Sequence, residues 1–321
     1  SDDRVYVLGE DIVDPYGGAF KVTKGLSSRF PERVLATPIS EAAIVGMASG
    51  MALRGLRPIA EIMFGDFIAL AADQLINHAA KFRWMYNEQV RVPLVVRTPS
   101  GGRRGYGPTH SQSLEKHLLG VPGMWVVAPH LLGDPGALLR QATLDCDDPV
   151  LFVESKLCYG RALVDSVEGM NGEVLGGGDT FATTYLRHGG ARAGSDGLIF
   201  CYGGMTPLGI DAVLRLRDVE GLNLDLAVLS QLSPLPREHI ETVLASSQPG
   251  VCVYVEEAAV EAGWSAEMTA CVEELRAAAS RPAIRHLRIG SKATPVPSSR
   301  ELEARSLPQA DDIVDAVVDC F

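Results

Sequence analysis

The regular exchange of short apolar runs for helix-length stretches constrains this chain most. Val5-Tyr6-Val7-Leu8-Gly9, Pro93-Leu94-Val95-Val96-Arg97, Met124-Trp125-Val126-Val127-Ala128 and Val150-Leu151-Phe152-Val153 read as strands, as does the run 57–63. Helices are expected over 41–53, 66–84 and 135–144. The run 93–97 is apolar without alternation, the mark of a strand covered on both faces. Strands alternating with helices predict a mainly parallel sheet between helical layers. The pattern returns later, with strands at 198–202, 224–229, 251–255 and 284–289 and helices near 206–217, 237–245, 265–279 and 311–318. Between the halves it breaks at Gly172, Gly176-Gly177-Gly178, Gly189-Gly190 and Gly194. The reading is α/β with two open, mainly parallel sheets, each covered by helices: one unit over 1–158, a connecting segment with room for short strands over 159–196, and a second unit over 197–321.

A chain of 321 residues can bury two cores of ordinary size. Its net charge of −11 argues against a nucleic-acid partner. No apolar run reaches the roughly 18 residues that a membrane span needs, and no signal peptide opens the chain. The seven histidines are scattered without metal-ligand spacing. The six cysteines form no Cys-x-x-Cys pair, so free thiols in a reducing cytoplasm or organelle matrix are expected.

Three stretches carry chemistry. The first is Thr37-Pro38-Ile39-Ser40-Glu41, followed by nine uncharged residues. Ser40 suits an N-cap, and Glu41 sits at the positive end of the helix dipole. Gly46 and Gly50 share a face where another backbone can approach. Alone, Glu41 also reads as a first-turn charge. The second stretch is Met63-Phe64-Gly65-Asp66-Phe67, whose apolar residues suit a core or the face of a flat heterocycle. The third runs from Gly101 to Gln112, with four glycines in its first seven residues. It lacks the Gly-Lys-Ser/Thr end of a phosphate P-loop. His110 alone reads as a surface residue, and Arg103 and Arg104 as ligands for an anion or as solvated charge. Glu256 and Glu257 read as solvated charge at a strand end.

Glu41, four residues, Gly46, an apolar residue, two residues and Gly50 together resemble the motif of thiamine-diphosphate enzymes. The likeness is to the β subunit of the decarboxylating component of 2-oxo acid dehydrogenases, the pyruvate and branched-chain type. Gly107-Pro108-Thr109-His110-Ser111-Gln112 is similar to a signature of that family. Val255-Glu256-Glu257-Ala258 with Gly263-Trp264-Ser265-Ala266-Glu267, and the end from Pro295-Val296-Pro297 to Leu307-Pro308, resemble the transketolase C-terminal domain.

The resemblance implies a pyrimidine-binding domain followed by that C-terminal domain. It implies that Glu41 bonds the cofactor's aminopyrimidine and is catalytic, with Met63 and Phe67 beside the ring. It places His110 in the active site, handling the substrate carboxylate or protons or guiding a lipoyl group. The family's Gly-Asp-Gly motif and its later Asn are absent, since residues 65–67 and 178–180 both lack the second glycine. The diphosphate and Mg2+ are therefore expected on an α subunit, in an α2β2 heterotetramer that serves a dihydrolipoyl acyltransferase core. The first helix usual in the family falls outside this numbering. The stretch 226–234 lacks the family's Asp-Leu-Arg, which favours a specialised pathway or a different acyl acceptor. A transketolase-like transferase subunit and a non-catalytic scaffold subunit stay open as alternatives.

Overall fold

The computed structural model describes residues 2–189 and 194–321; the connector residue Gly190 lies outside the described residues. The first half supplies β1 (Val5–Gly9), β2 (Val34–Ala36), β3 (Arg57–Glu61), β4 (Val95–Ser100), β5 (Trp125–Val127) and β6 (Val150–Ser155). Their order is β5-β6-β4-β3-β1-β2, and every neighbouring pair is parallel. The connections hold α1 (Leu26–Arg29), α2 (Glu41–Leu53), α3 (Ala80–Met85) and α4 (Pro135–Leu144). Pro135 opens α4, and the Asp134 carboxylate accepts from the N–H groups of Gly136 and Ala137. The helix expected over 66–84 is a helical run of mixed type: 3-10 over Gly65–Ala71, π over Gln74–Ala79, then α3.

Every residue of β3 and β4 is buried, as strands between two helical layers should be. That burial includes charge. Arg57 donates to the carbonyls of Thr143 and Cys146 and to the Asp147 carboxylate, each at 2.9 Å. A guanidinium thereby meets the negative end of α4 and fixes that helix to the sheet.

The second half holds β7 (Met170–Gly177), β8 (Thr180–His188), β9 (Gly197–Cys201), β10 (Leu224–Leu229), β11 (Gln231–Ser233), β12 (Val251–Ala259) and β13 (Arg285–Ser291). Its helices are α5 (Thr206–Arg215), α6 (Arg237–Ser247), α7 (Trp264–Ala278), α8 (Arg300–Ser306) and α9 (Ala310–Val318). The second sheet runs β13-β12-β9-β10-β8-β7. Its first four strands are mutually parallel, and the hairpin β7–β8 adds two antiparallel strands. Much of the glycine-rich segment 159–196 is thus a hairpin on the second sheet.

β11 leaves the second sheet and pairs antiparallel with β5, as the edge of the first. The Gln231 side chain secures this crossing, accepting from the Phe181 N–H at 3.0 Å and donating to the Pro234 carbonyl at 2.6 Å. A single apolar cluster joins the two sheets, from Leu8 and Val96 to Phe200, Tyr254 and Trp264. The six cysteines are free. Among the described residues, no helix is long and apolar enough to cross a membrane.

Candidate active site

The parallel strands of the first sheet deliver their carboxyl ends to one edge, where open α/β sheets bind ligands. β2 leads to Glu41, β3 to Met63, Phe64 and Phe67, β4 to the glycine-rich loop, and β6 to Lys156. Strand order reverses around β1, which lies between β2 and β3. Glu41 and Phe67 therefore come from either side of the switch point.

Glu41 is the first residue of α2 and only 8% exposed. Among the described residues, no hydrogen bond or ion pair reaches its carboxylate. Its charged neighbour is of like sign: Glu10, just beyond β1, is pushed up by burial and then by Asp11 and Glu41. Ser40 takes the extended N-cap backbone, at φ −166° and ψ 93°, but its hydroxyl makes no capping bond, contrary to expectation. Gly46 meets only the end of the Gln74 side chain, and nothing lies within 4 Å of a Cβ built on Gly50. The close backbone approach expected at these glycines is absent among the described residues.

α2 packs along the 3-10 segment that carries Phe67. Phe67 and His110 meet edge to face at 5.2 Å, and Phe64 and His110 at 4.9 Å. Met63 is half-buried at the end of β3. The Thr109 hydroxyl lies 3.1 Å from His110 Nδ1. The structure thus brings Phe67 and His110 into contact, with Met63 and Glu41 on the same strand-end edge.

Two carboxylates from the second half grip the glycine-rich loop. Glu257 accepts from the Gly102 N–H at 2.5 Å; Glu303 accepts from the Arg103 and Gly105 N–H groups at 2.8 Å each. Gly101, at φ +87°, and Gly107, at φ +77°, need the left-handed region, and a Cβ would strike Glu257 Oε1 at 2.5 Å or Ser298 Oγ at 2.4 Å. Arg103 donates to the Pro308 carbonyl at 2.5 Å and faces Glu257 at 3.8 Å, while Arg104 donates to the Lys156 carbonyl at 3.0 Å.

The reading of Glu256 and Glu257 as solvated charge is wrong, because both are buried. Glu256 accepts the first N–H groups of α7, from Trp264 and Ser265, at 3.0 Å each. Burial pushes the Glu257 carboxyl up, against the pull of Arg103 and the Gly102 N–H.

Sequence reasoning also passed over a polar layer behind the rings. Asp66 Oδ1 accepts from the Gln112 backbone at 3.2 Å and side chain at 2.9 Å. Lys156 is fully buried, and its ammonium donates to the His110 carbonyl at 2.6 Å. A lysine closing an apolar strand, next to a histidine loop, was the available signal.

The family description "Transketolase, pyrimidine binding domain" matches residues 1–161, and "Transketolase, C-terminal domain" matches 190–313. The Arabidopsis thaliana protein named pyruvate dehydrogenase E1 component subunit beta-1, mitochondrial, is 36% identical over 98% of this chain and 84% of its own length. The Cupriavidus necator acetoin:2,6-dichlorophenolindophenol oxidoreductase subunit beta is 37% identical, over 98% and 91%. The Mycobacterium tuberculosis 3-methyl-2-oxobutanoate dehydrogenase subunit beta is 35% identical, over 99% and 86%. In fold, a solved split-gene transketolase, described as an inactive beta4 tetramer, superimposes with a TM-score of 0.68 over 98% of this chain and 91% of that one, at 22% identity. With both domain descriptions in order along the chain and these likenesses nearly end to end, the protein belongs to the transketolase-like family of 2-oxo acid dehydrogenase β subunits.

Proposed function

We propose that this chain is the β subunit of a thiamine-diphosphate-dependent 2-oxo acid dehydrogenase. With an α subunit it decarboxylates a 2-oxo acid and passes the acyl group to a lipoyl or other acceptor. The observation that carries the reading is Glu41: a largely buried residue whose carboxylate stays open to solvent, without a donor among the described residues, where ligands enter such sheets. An acceptor left open on an otherwise buried residue can take a ligand's N–H or share its proton.

Glu41 would bond N1′ of the aminopyrimidine and hold the proton exchanged there. Phe67 offers its face to the ring, and Met63 fills the side beside it. Thiamine diphosphate, once bound, supplies the carbon nucleophile and the electron sink. His110, fixed between Phe64 and Phe67, would bind the substrate carboxylate or move a proton at the reacting carbonyl. The chain has no Gly-Asp-Gly motif. The diphosphate and Mg2+ are therefore assigned to the α subunit, in an α2β2 assembly able to serve an acyltransferase core. The acetoin-type relative keeps a specialised pathway in view.

Carbon dioxide release from a 2-oxo acid, by this chain co-expressed with its α subunit, tests the reading. Glu41→Gln keeps the size but cannot share a proton, and release should fall by roughly 10²–10⁴ at an unchanged thermal midpoint. Wild-type release from that variant would sink the assignment of Glu41.

A further inference from the structure

We propose that Lys156 is the residue that positions His110, its buried ammonium holding the loop 107–112 against Phe64 and Phe67 through the His110 carbonyl. The inference rests on reading His110 as an active-site residue. Lys156 follows β6 directly and is 0% exposed. Its ammonium has three protons to donate. Among the described residues, its hydrogen bond goes to the His110 carbonyl and to no carboxylate. The same ammonium lies 5.1 Å from the centre of the Phe64 ring and 5.9 Å from that of Tyr106. Lys156 therefore touches both the backbone of His110 and the ring against which His110 packs.

The rest of the loop is tied at its flanks. Gln112 is held by Asp66, and the Gly101 N–H donates to the Gln112 carbonyl at 3.2 Å. At the histidine the ties are weaker: its own N–H reaches the Gly107 carbonyl at 3.3 Å. The Lys156 bond is the strong contact there, since a charged donor roughly doubles the strength of a hydrogen bond. Lys156 is fully buried, so it acts through His110.

Asp66, Glu257 and Glu303 face the ammonium with negative charge and Arg104 with positive charge, while Tyr106 and His110 adjoin it. Burial outweighs the carboxylates and brings the Lys156 amine down from 10.5 to about 8. Below that value the bond to His110 is charge-assisted, and above it the bond is neutral and weaker. Global stability carries the opposite sign. Between about 8 and 10.5 the unfolded chain holds the extra proton, so the contribution of Lys156 to stability rises with pH there. Loosening of the loop in this window is therefore not general unfolding driven by Lys156.

Amide hydrogen exchange on the wild-type chain reads this directly, after correction for intrinsic base catalysis. Protection of the His110 and Gln112 amides should fall about tenfold between about pH 7 and pH 9.5, while β4 and β6 stay unchanged. Lys156→Met keeps the length and suits the apolar surroundings. It should show the loosened loop at every pH, without the step, and lower the turnover of the co-expressed complex about tenfold with little change in KM. No step in the wild-type loop, a step that persists in Lys156→Met, or protection lost equally in β6 each overturns the proposal. His110→Ala separates the two claims. If it turns over normally, the reading of His110 fails and takes this inference with it. If it is slow while Lys156→Met keeps wild-type protection and turnover, only the role of Lys156 fails.

Discussion

Glu41 is a largely buried residue whose carboxylate keeps an opening to solvent and has no donor among the described residues, which leaves it available to a ligand. A merely helix-favouring charge would do its work at the surface, where the dipole contributes at most about 1 kcal/mol. His110 is fixed differently, by ring contacts, by its own carbonyl and by the Thr109 hydroxyl at Nδ1, which leaves Nε2 for other work. His110→Ala is accordingly expected to keep cofactor binding, measured by calorimetry on the complex, and to lower turnover by roughly 10²–10⁴. Normal turnover would make the loop structural only. Glu41, Phe67 and His110 were open to proposal from the sequence because each sits in a short string whose spacing is itself informative. Lys156, Asp66, Glu257 and Glu303 were not, because each gains its meaning from a partner far along the chain. Glu303 meets a loop some two hundred residues earlier.

Among elements, the fully apolar strands and capped helices were readable, and α4 begins and ends at the residues its sequence implied. Elements defined by partners were not. β11 is three residues long and exists because β5 offers it an edge. The glycine-rich connector was read as holding short strands, but their pairing as the hairpin β7–β8 on the second sheet was not legible in it. The ends of β3, β4 and β6 are joined by one cation: Arg97 donates to Glu61 and Glu154, and Tyr159 donates to Glu154 at 2.6 Å. Tyr159 packs on Phe20 and Phe20 on Phe64, so this network underlies the rings beside His110. Arg97→Met would leave two buried carboxylates without their counter-ion. Urea unfolding should show a loss of roughly 3–5 kcal/mol, the cost of breaking a buried ion pair from one side. A loss below about 1 kcal/mol would mean that the carboxylates are held mainly by other donors.

At the scale of the whole molecule, one face is unfinished. Ile39 is 75% exposed and Leu70 60%, and Ala42, Ala43, Met47 and Gly50 line the open side of α2 between them. α2 packs along the segment that carries Leu70, so these residues belong to one apolar region beside Glu41. Gly50 is its sharpest feature. It sits inside a helix, takes an ordinary helical backbone, and has nothing within 4 Å of where a Cβ would stand. Nothing among the described residues requires a glycine there, and the helix would be more stable by about 0.5–1 kcal/mol with alanine. A partner's backbone approaching this face would require it. Gly50→Leu should therefore act with opposite signs. The isolated chain should unfold at the same or a higher urea concentration. Light scattering on the co-expressed subunits should show the particle formed with the α subunit replaced by smaller species, and decarboxylation should fall with it. If Gly50→Leu assembles as the wild type does, the close approach lies elsewhere on the chain, and the open face of α2 is not where the subunits meet.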